Sequence, residues 1–180
     1  MFQADILEKC KANDRSAQLK LYRQYCDGMY CVAMRFLKNA DDAEDVLQEA
    51  FIKAFQKMHQ YKGEVTFGAW LKRIVVNKCI DFLKSRKEQN ISLDESYMRC
   101  VEEDDWTVEE HIEIDEVKTA IEQLSGKYKY VVMMYLIEGF DHQEISEVLK
   151  ISETACRTRL LRGKGQLKEL LKLKGYGTGS

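Results

Sequence analysis

The sequence predicts an all-α protein made of two small helical domains, and three observations carry that prediction. Among 180 residues there is no proline, the residue that most often interrupts helices. Apolar residues recur at helical spacings through most of the chain, and strand-like alternation is scarce. Charge is divided unevenly. Residues 92–116 hold eleven acidic side chains and one basic one, whereas residues 141–174 hold eight basic and five acidic. The net charge of -2 therefore conceals an acidic middle and a basic end.

The first domain is expected over 1–90. Phe2, Ile6, Leu7 and Cys10 mark a short opening helix. Tyr22, Tyr25, Cys26, Met29, Tyr30, Ala33, Phe36 and Leu37 mark a long second one, with a weak point at Gly28. After a turn at Asn39 and Ala40, Asp41 and Glu44 have capping-box spacing and predict the start of a third helix. Its core stripe is Ala43, Val46, Leu47, Ala50, Phe51, Ala54, Phe55 and Met58. A loop at 61–66 is broken by Gly63, and a fourth helix runs from Phe67 to about Lys87 on an apolar stripe of Leu71, Ile74, Val75 and Phe82.

The acidity and weak periodicity of 91–113 read as a flexible linker, with a fragment of helix around Trp106. The second domain is expected over 114–174 as four helices. Val117, Ile121 and Leu124 mark the first, which Ser125 and Gly126 end. Tyr128, Val131, Val132, Tyr135 and Leu136 mark the second, which Gly139 closes. The third begins at a capping box of Asp141 and Glu144, with Ile145, Val148 and Leu149 as its stripe. The turn is Lys150-Ile151-Ser152, and Ser152 is a favourable N-cap for the last helix.

That last helix has Cys156, Leu160, Gly163 and Leu167 at spacings that face inward. Glu153, Thr154, Arg157, Thr158, Leu161 and Arg162 are left outside. A short helix, a tight turn and a helix with a basic outer face is how duplex DNA is commonly read through the major groove. Two other surfaces stand out. The fourth helix carries Lys72, Arg73, Lys78, Lys84, Arg86 and Lys87 behind the aromatics Phe67 and Trp70. Trp70 reads as a core anchor and Phe67 similarly, while Arg73 and Asn77 are contact candidates. The third helix turns Asp42, Asp45, Gln48, Glu49, Ile52, Lys53 and Gln56 away from its core, an apolar centre in a polar rim. Such a face either docks a protein or is merely solvated.

Enzymatic signatures are missing: there is no HExxH, phosphate-binding glycine loop or GxSxG, and His59, His111 and His142 are isolated. The reading is a non-enzyme without metal or cofactor. Six cysteines without a CxxC pair suit a reducing cytoplasm. Neither a signal peptide nor a membrane span is expected.

Three motifs, DAEDVLQEAFIKAF (42–55), YKGEVTFGAWLKRIVVNKCIDFLKSRK (61–87) and EGFDHQEISEVLKISETACRTRLLRGKGQLKELL (138–171), stand in an order that resembles the extracytoplasmic-function sigma factors of bacterial RNA polymerase. The resemblance implies a sigma-two bundle and a sigma-four helix-turn-helix domain on a flexible tether. It implies that the face of Asp42, Asp45, Gln48, Glu49, Ile52, Lys53 and Gln56 docks on the clamp helices of the polymerase's largest subunit. The loop with Tyr61, Lys62 and Gly63, followed by Phe67, would capture a flipped base of the minus-ten element. Lys72, Arg73 and Asn77 would read that element, with Arg86 and Lys87 toward the backbone. Ser152, Glu153, Thr154, Arg157, Thr158, Leu161 and Arg162 would meet the minus-thirty-five duplex. An anti-sigma factor is a further implied partner. Two departures are visible. The family commonly has Leu-Pro at Leu124-Ser125, and often Gly-Thr-Val where this chain has Glu153-Thr154-Ala155-Cys156. The competing reading is a stand-alone helix-turn-helix regulator of duplex DNA whose first helices only dimerise it.

Overall fold

A computed structural model describes residues 2–88 and 113–175, which fall into two compact units. The acidic linker, its helical fragment at Trp106, His111 and Cys100 lie outside the described residues; Glu113 alone of the linker is described, as the N-cap of a helix. Among the described residues the structure is helical, without a strand.

The first unit contains α1 (Phe2–Lys11), α2 (Arg15–Leu37), α3 (Ala40–Gln56), a 3-10 turn (Met58–Gln60) and α4 (Phe67–Glu88). Asp14 caps α2 by accepting from the Ala17 amide at 3.0 Å. The helix then runs through Gly28 without a break, so the weak point expected there does not interrupt it. The expected capping box at Asp41 and Glu44 is not formed. Asn39 is the N-cap, and its side-chain oxygen accepts from the Asp42 amide at 3.0 Å. The helix thus starts two residues early, with Asp41 and Asp42 in its first turn, where they favour the helix dipole.

α2, α3 and α4 pack against one another, and α1 packs on α2. Leu21, Val32, Ala33 and Phe36 of α2 are buried there, as are Ala43, Val46, Leu47, Ala50 and Phe51 of α3. Tyr22 sets its ring edge-on to Phe51 at 4.7 Å. The third-helix stripe was legible almost entirely, although Phe55 is only half-buried and Met58 belongs to the 3-10 turn. The α4 stripe needs correction. Leu71, Val75, Val76, Cys79 and Ile80 are buried, and Ile74 and Phe82 are half-exposed. α4 packs against two helices, so its buried arc is wider than one stripe and rotated from the expected one.

The second unit contains α5 (Ile114–Glu122), α6 (Gly126–Leu136), α7 (His142–Leu149) and α8 (Glu153–Leu173). α6 is surrounded by α5, α7 and α8. That is why Val131, Val132, Met133 and Met134 are buried in succession. Leu136, expected in the stripe, ends the helix and is 43% exposed. At Gly163 α8 lies close against α6. A Cβ there would lie 2.5 Å from Val132 Cγ2 and 3.2 Å from Tyr128 Cβ.

Candidate nucleic-acid interface

The helix-turn-helix is held at each of its joints. Asp141 accepts from the Glu144 amide at 2.8 Å, and the Glu144 carboxylate accepts from the Asp141 amide at 3.0 Å. Lys150 ends α7 in the left-handed region at φ 56°. Ser152 Oγ then accepts from the Ala155 amide at 3.1 Å and starts α8. Cys156, Leu160, Gly163 and Leu167 are buried, as their spacing requires, and Leu171 extends the line. Burial pushes the Cys156 thiol up from its ordinary titration range. Its sulfur lies 3.9 Å from His142 Nδ1, and the His142 ring stacks on Tyr135 at 5.3 Å.

This packing leaves Glu153, Thr154, Arg157, Thr158 and Leu161 exposed on α8, beside the exposed cap Ser152. Arg157 reaches Glu153 at 3.4 Å, an exposed pair of little stabilising value that a phosphate or base can displace. Arg162 differs from the expectation in being half-buried. It precedes the inward Gly163 by one helical step, so it sits at the flank of the outer face.

In the first unit, four aromatic rings back the loop at 61–66. Phe67 is their centre, with Tyr25 at 5.3 Å, Tyr61 at 5.7 Å and Trp70 at 5.6 Å. Tyr61 and Trp70 are 5.4 Å apart, both partly exposed. Phe67 is only 1% exposed, which corrects its place among the base-contact residues. As the first residue of α4 it points into the other rings and supports the loop from beneath. Lys62 and Gly63 are exposed, and Gly63 turns the chain at φ +80°, which a side chain would resist. Thr66 Oγ1 accepts from the Ala69 amide at 3.3 Å and caps α4.

Along α4, Lys72, Arg73 and Asn77 are half-buried neighbours. The Asn77 amide donates to the Arg73 carbonyl at 2.8 Å, which uses one of its two N–H groups and leaves the other and the side-chain oxygen. Lys87's side chain lies outside the described residues. Arg86 stacks over Phe82 at 4.7 Å and pairs with Asp42 at 2.9 Å. Lys78 pairs with Glu49 at 2.9 Å.

These two ion pairs join residues that the sequence assigned to different surfaces. Asp45, Gln48, Glu49, Ile52 and Gln56 are exposed on α3, and Lys53 is half-buried. Ile52 is 58% exposed, an apolar centre as expected. The Asp42 side chain is only 15% exposed and held by Arg86, so it belongs to the α3–α4 seam more than to the open face. Sequence reasoning missed this seam, because nothing in a one-dimensional charge pattern pairs positions 44 residues apart. It also missed Val65, which is 47% exposed in the loop.

Among the described residues no group of three or more His, Cys, Asp or Glu side chains is arranged to hold a metal ion. No described helix is long and apolar enough to cross a membrane.

Comparison with known proteins gives the same division. The family model for sigma-70 region 2 matches residues 21–89, and that for sigma-70 region 4 matches residues 114–167. The chain is 33% identical over 158 residues to the extracytoplasmic-function RNA polymerase sigma factor SigE of Mycolicibacterium smegmatis, covering 84% of this chain and 60% of that protein. It is 31% identical over 129 residues to the RNA polymerase sigma factor SigZ of Bacillus subtilis, covering 71% of this chain and 72% of that one. For SigW of Bacillus subtilis the identity is 29% over 178 residues, with 92% and 95% covered. Among solved structures, CnrH in complex with the cytosolic domain of CnrY has the same fold. Its TM-score is 0.57 at 21% identity, over 93% of this chain and 96% of that one. RpoE of Bartonella quintana, in complex with the anti-sigma factor NepR, also scores 0.57 at 18% identity, over 86% and 96%.

Proposed function

Because the chain belongs to the extracytoplasmic-function family of RNA polymerase sigma factors, we propose the following assignment of its surfaces. Residues 1–90 form the sigma-two domain and 114–174 the sigma-four domain, with 91–113 as their acidic tether. The α3 face around Ile52, with Asp45, Gln48, Glu49, Lys53 and Gln56, docks on the clamp helices of the polymerase's largest subunit. The loop 61–66 captures an unstacked base of the minus-ten element. Lys72, Arg73 and Asn77 contact that strand, and Lys87 its backbone, joined by Arg86 when it leaves Asp42. The α8 face of Ser152, Glu153, Thr154, Arg157, Thr158 and Leu161, flanked by Arg162, reads the minus-thirty-five duplex.

The observation that carries this reading is that an open, capped, basic helix face and an aromatic-backed loop occur in separate compact units. One surface suits paired DNA and the other suits a base outside the stack. Extruding a base costs a few kcal/mol. Binding the extruded base offsets part of that cost and favours the open strand, so promoter melting is assisted without a catalytic residue. Glu153 at the start of α8 opposes a nearby phosphate but can accept from a cytosine amino group. The chain itself catalyses no reaction in this scheme; it works in the cytoplasm, where it is held by polymerase or by an anti-sigma factor. Leu161, apolar on a polar face, meets either a thymine methyl or an inhibitory partner.

A stand-alone duplex regulator is not favoured, since it leaves the region 2 match at 21–89 without a role. The decisive experiment is run-off transcription with purified bacterial core polymerase on a genomic library. Discrete transcripts dependent on the chain are expected. A chain that neither binds core polymerase nor redirects it, even freed of inhibitors, overturns the assignment.

A further inference from the structure

Two properties of the loop contribute nothing to the core of the first unit. Val65 keeps an apolar side chain 47% exposed although the loop adjoins the ring cluster of Tyr25, Phe67 and Trp70. Its backbone carbonyl, meanwhile, accepts a hydrogen bond from the Tyr61 hydroxyl at 2.7 Å. That bond spans the loop from its first residue to its fifth, across the positive-φ turn at Gly63. The two ends are anchored separately. Tyr61 packs on Phe67 and Trp70, and Thr66 caps α4. The hydroxyl therefore ties the loop's first residue to its fifth and constrains the Val65 backbone, and through it the place of the Val65 side chain.

We propose that Tyr61 and Val65 are a positioning pair that sets which base the loop accepts, an inference that rests on the minus-ten reading above. A base leaving the stack meets the part-exposed rings of Tyr61 and Trp70, and the exposed Lys62, next to Tyr61 in the chain, supplies a cation for the backbone. Stacking on an aromatic ring accepts any base, because every base has a π-face. Discrimination needs an edge contact, and an apolar side chain supplies one by shape, as it does against a thymine methyl. Val65 is the exposed apolar side chain of this loop, and the Tyr61 hydroxyl holds it at the lip.

The test uses holoenzyme assembled from the full chain and bacterial core polymerase. The probes are fluorescent single-stranded oligonucleotides of the non-template sequence of a promoter recovered by run-off transcription, with each position replaced in turn by each base. Tyr61→Phe keeps the ring and removes only the clasp; Val65→Thr keeps shape and adds a hydroxyl. Both variants are expected to bind core polymerase like the parent. Tyr61→Phe should bind the preferred strand roughly two- to tenfold more weakly, the effect of one net hydrogen bond. It should also flatten base preference at a single position, and Val65→Thr should alter preference at that same position alone. Base preferences unchanged in both variants would overturn the pair, and so would a uniform loss that leaves their ratios intact. If Lys72→Ala and Arg73→Ala weaken strand binding under those circumstances, the minus-ten reading survives while the pair does not. If the parent holoenzyme binds none of the strands, the reading itself falls.

Discussion

At position 163 a hydrogen atom is the only side chain that α6 tolerates. A Cβ there would lie 2.5 Å from Val132 Cγ2, whereas at Gly165, on the same helix, no atom lies within 4 Å. The two glycines should respond oppositely to alanine. Replacing glycine inside a helix gains up to about 1 kcal/mol from propensity, and overpacking a core costs about 1–3 kcal/mol. Gly163→Ala is therefore expected to lower stability by up to about 2 kcal/mol, and Gly165→Ala to raise it by about 0.5–1 kcal/mol. Urea denaturation of the second unit's transition reads both; equal effects of the two would contradict the packing. The sequence placed Gly163 on the inward line, but it could not say that Gly165 faces open space. The thiols supply a second check at this scale. Burial is the largest cause that pushes Cys10 and Cys156 up, so the folded chain holds protons that the unfolded chain releases first. Stability is then full below the ordinary thiol range and is lost as pH rises through it. The urea midpoint should fall on going from pH 8 to pH 10, and Cys156→Ala should make that fall shallower. A midpoint that rises over this window would contradict the burial argument. Exposed Cys31 should react with a thiol reagent in the native protein well before buried Cys10, Cys79 or Cys156.

At the scale of elements, the α3–α4 seam couples what the sequence suggested were separate surfaces. Helix periodicity made the existence of every described helix legible, because an amphipathic helix writes its buried face every third or fourth residue. It failed in α4 and α6, whose buried arcs are wider than one stripe, and where two caps compete, as at Asn39 and Asp41. The pairs Asp42–Arg86 and Glu49–Lys78 were invisible for a further reason: their register depends on how the two helices cross. Their strength should be modest. Arg86 and Glu49 are both more than half exposed, so solvent screens them to about 0–1 kcal/mol each. A double-mutant cycle of Asp42→Asn with Arg86→Gln is expected to return a coupling of about 0.5–1 kcal/mol in urea denaturation, with less at high salt. A coupling of zero at low salt would mean that the pair adds nothing to stability. In the proposed assignment Arg86 also meets the DNA backbone, and Asp42→Asn should then strengthen strand binding slightly by releasing Arg86 from the seam.

At the scale of the whole molecule, the division of labour predicts variants that fail in different ways. Ile52→Asp places a charge at the apolar centre of the α3 face, and Asp45→Arg inverts a rim charge; neither residue is buried, so folding should survive. Both should weaken binding to core polymerase, and Ile52→Asp more, since a central apolar anchor commonly contributes 2 kcal/mol or more, in round terms about thirtyfold. Arg157→Ala should leave core binding unchanged and weaken promoter recognition, by about 1–3 kcal/mol if it pairs with a base. A base contact and a phosphate contact separate in salt: loss of a phosphate contact lowers the slope of log affinity against log salt by about one, uniformly over sequences. Arg162→Ala should behave less cleanly, because that side chain is half-buried at the flank of α8; part of its loss should be a fall in stability of the second unit. The sequence made this separation legible through charge, with a basic outer face on α8 and an acidic-to-mixed one on α3. The apolar residue types also marked Phe67 as a core residue, which its burial bears out; they could not say that Asp42 closes a seam, because that depends on how two helices cross. Core affinity by fluorescence anisotropy, and promoter affinity of the assembled holoenzyme over a salt series, measure the two activities independently. Variants of α3 and α8 that lost both activities in equal proportion, while remaining folded, would mean that the two faces serve one partner.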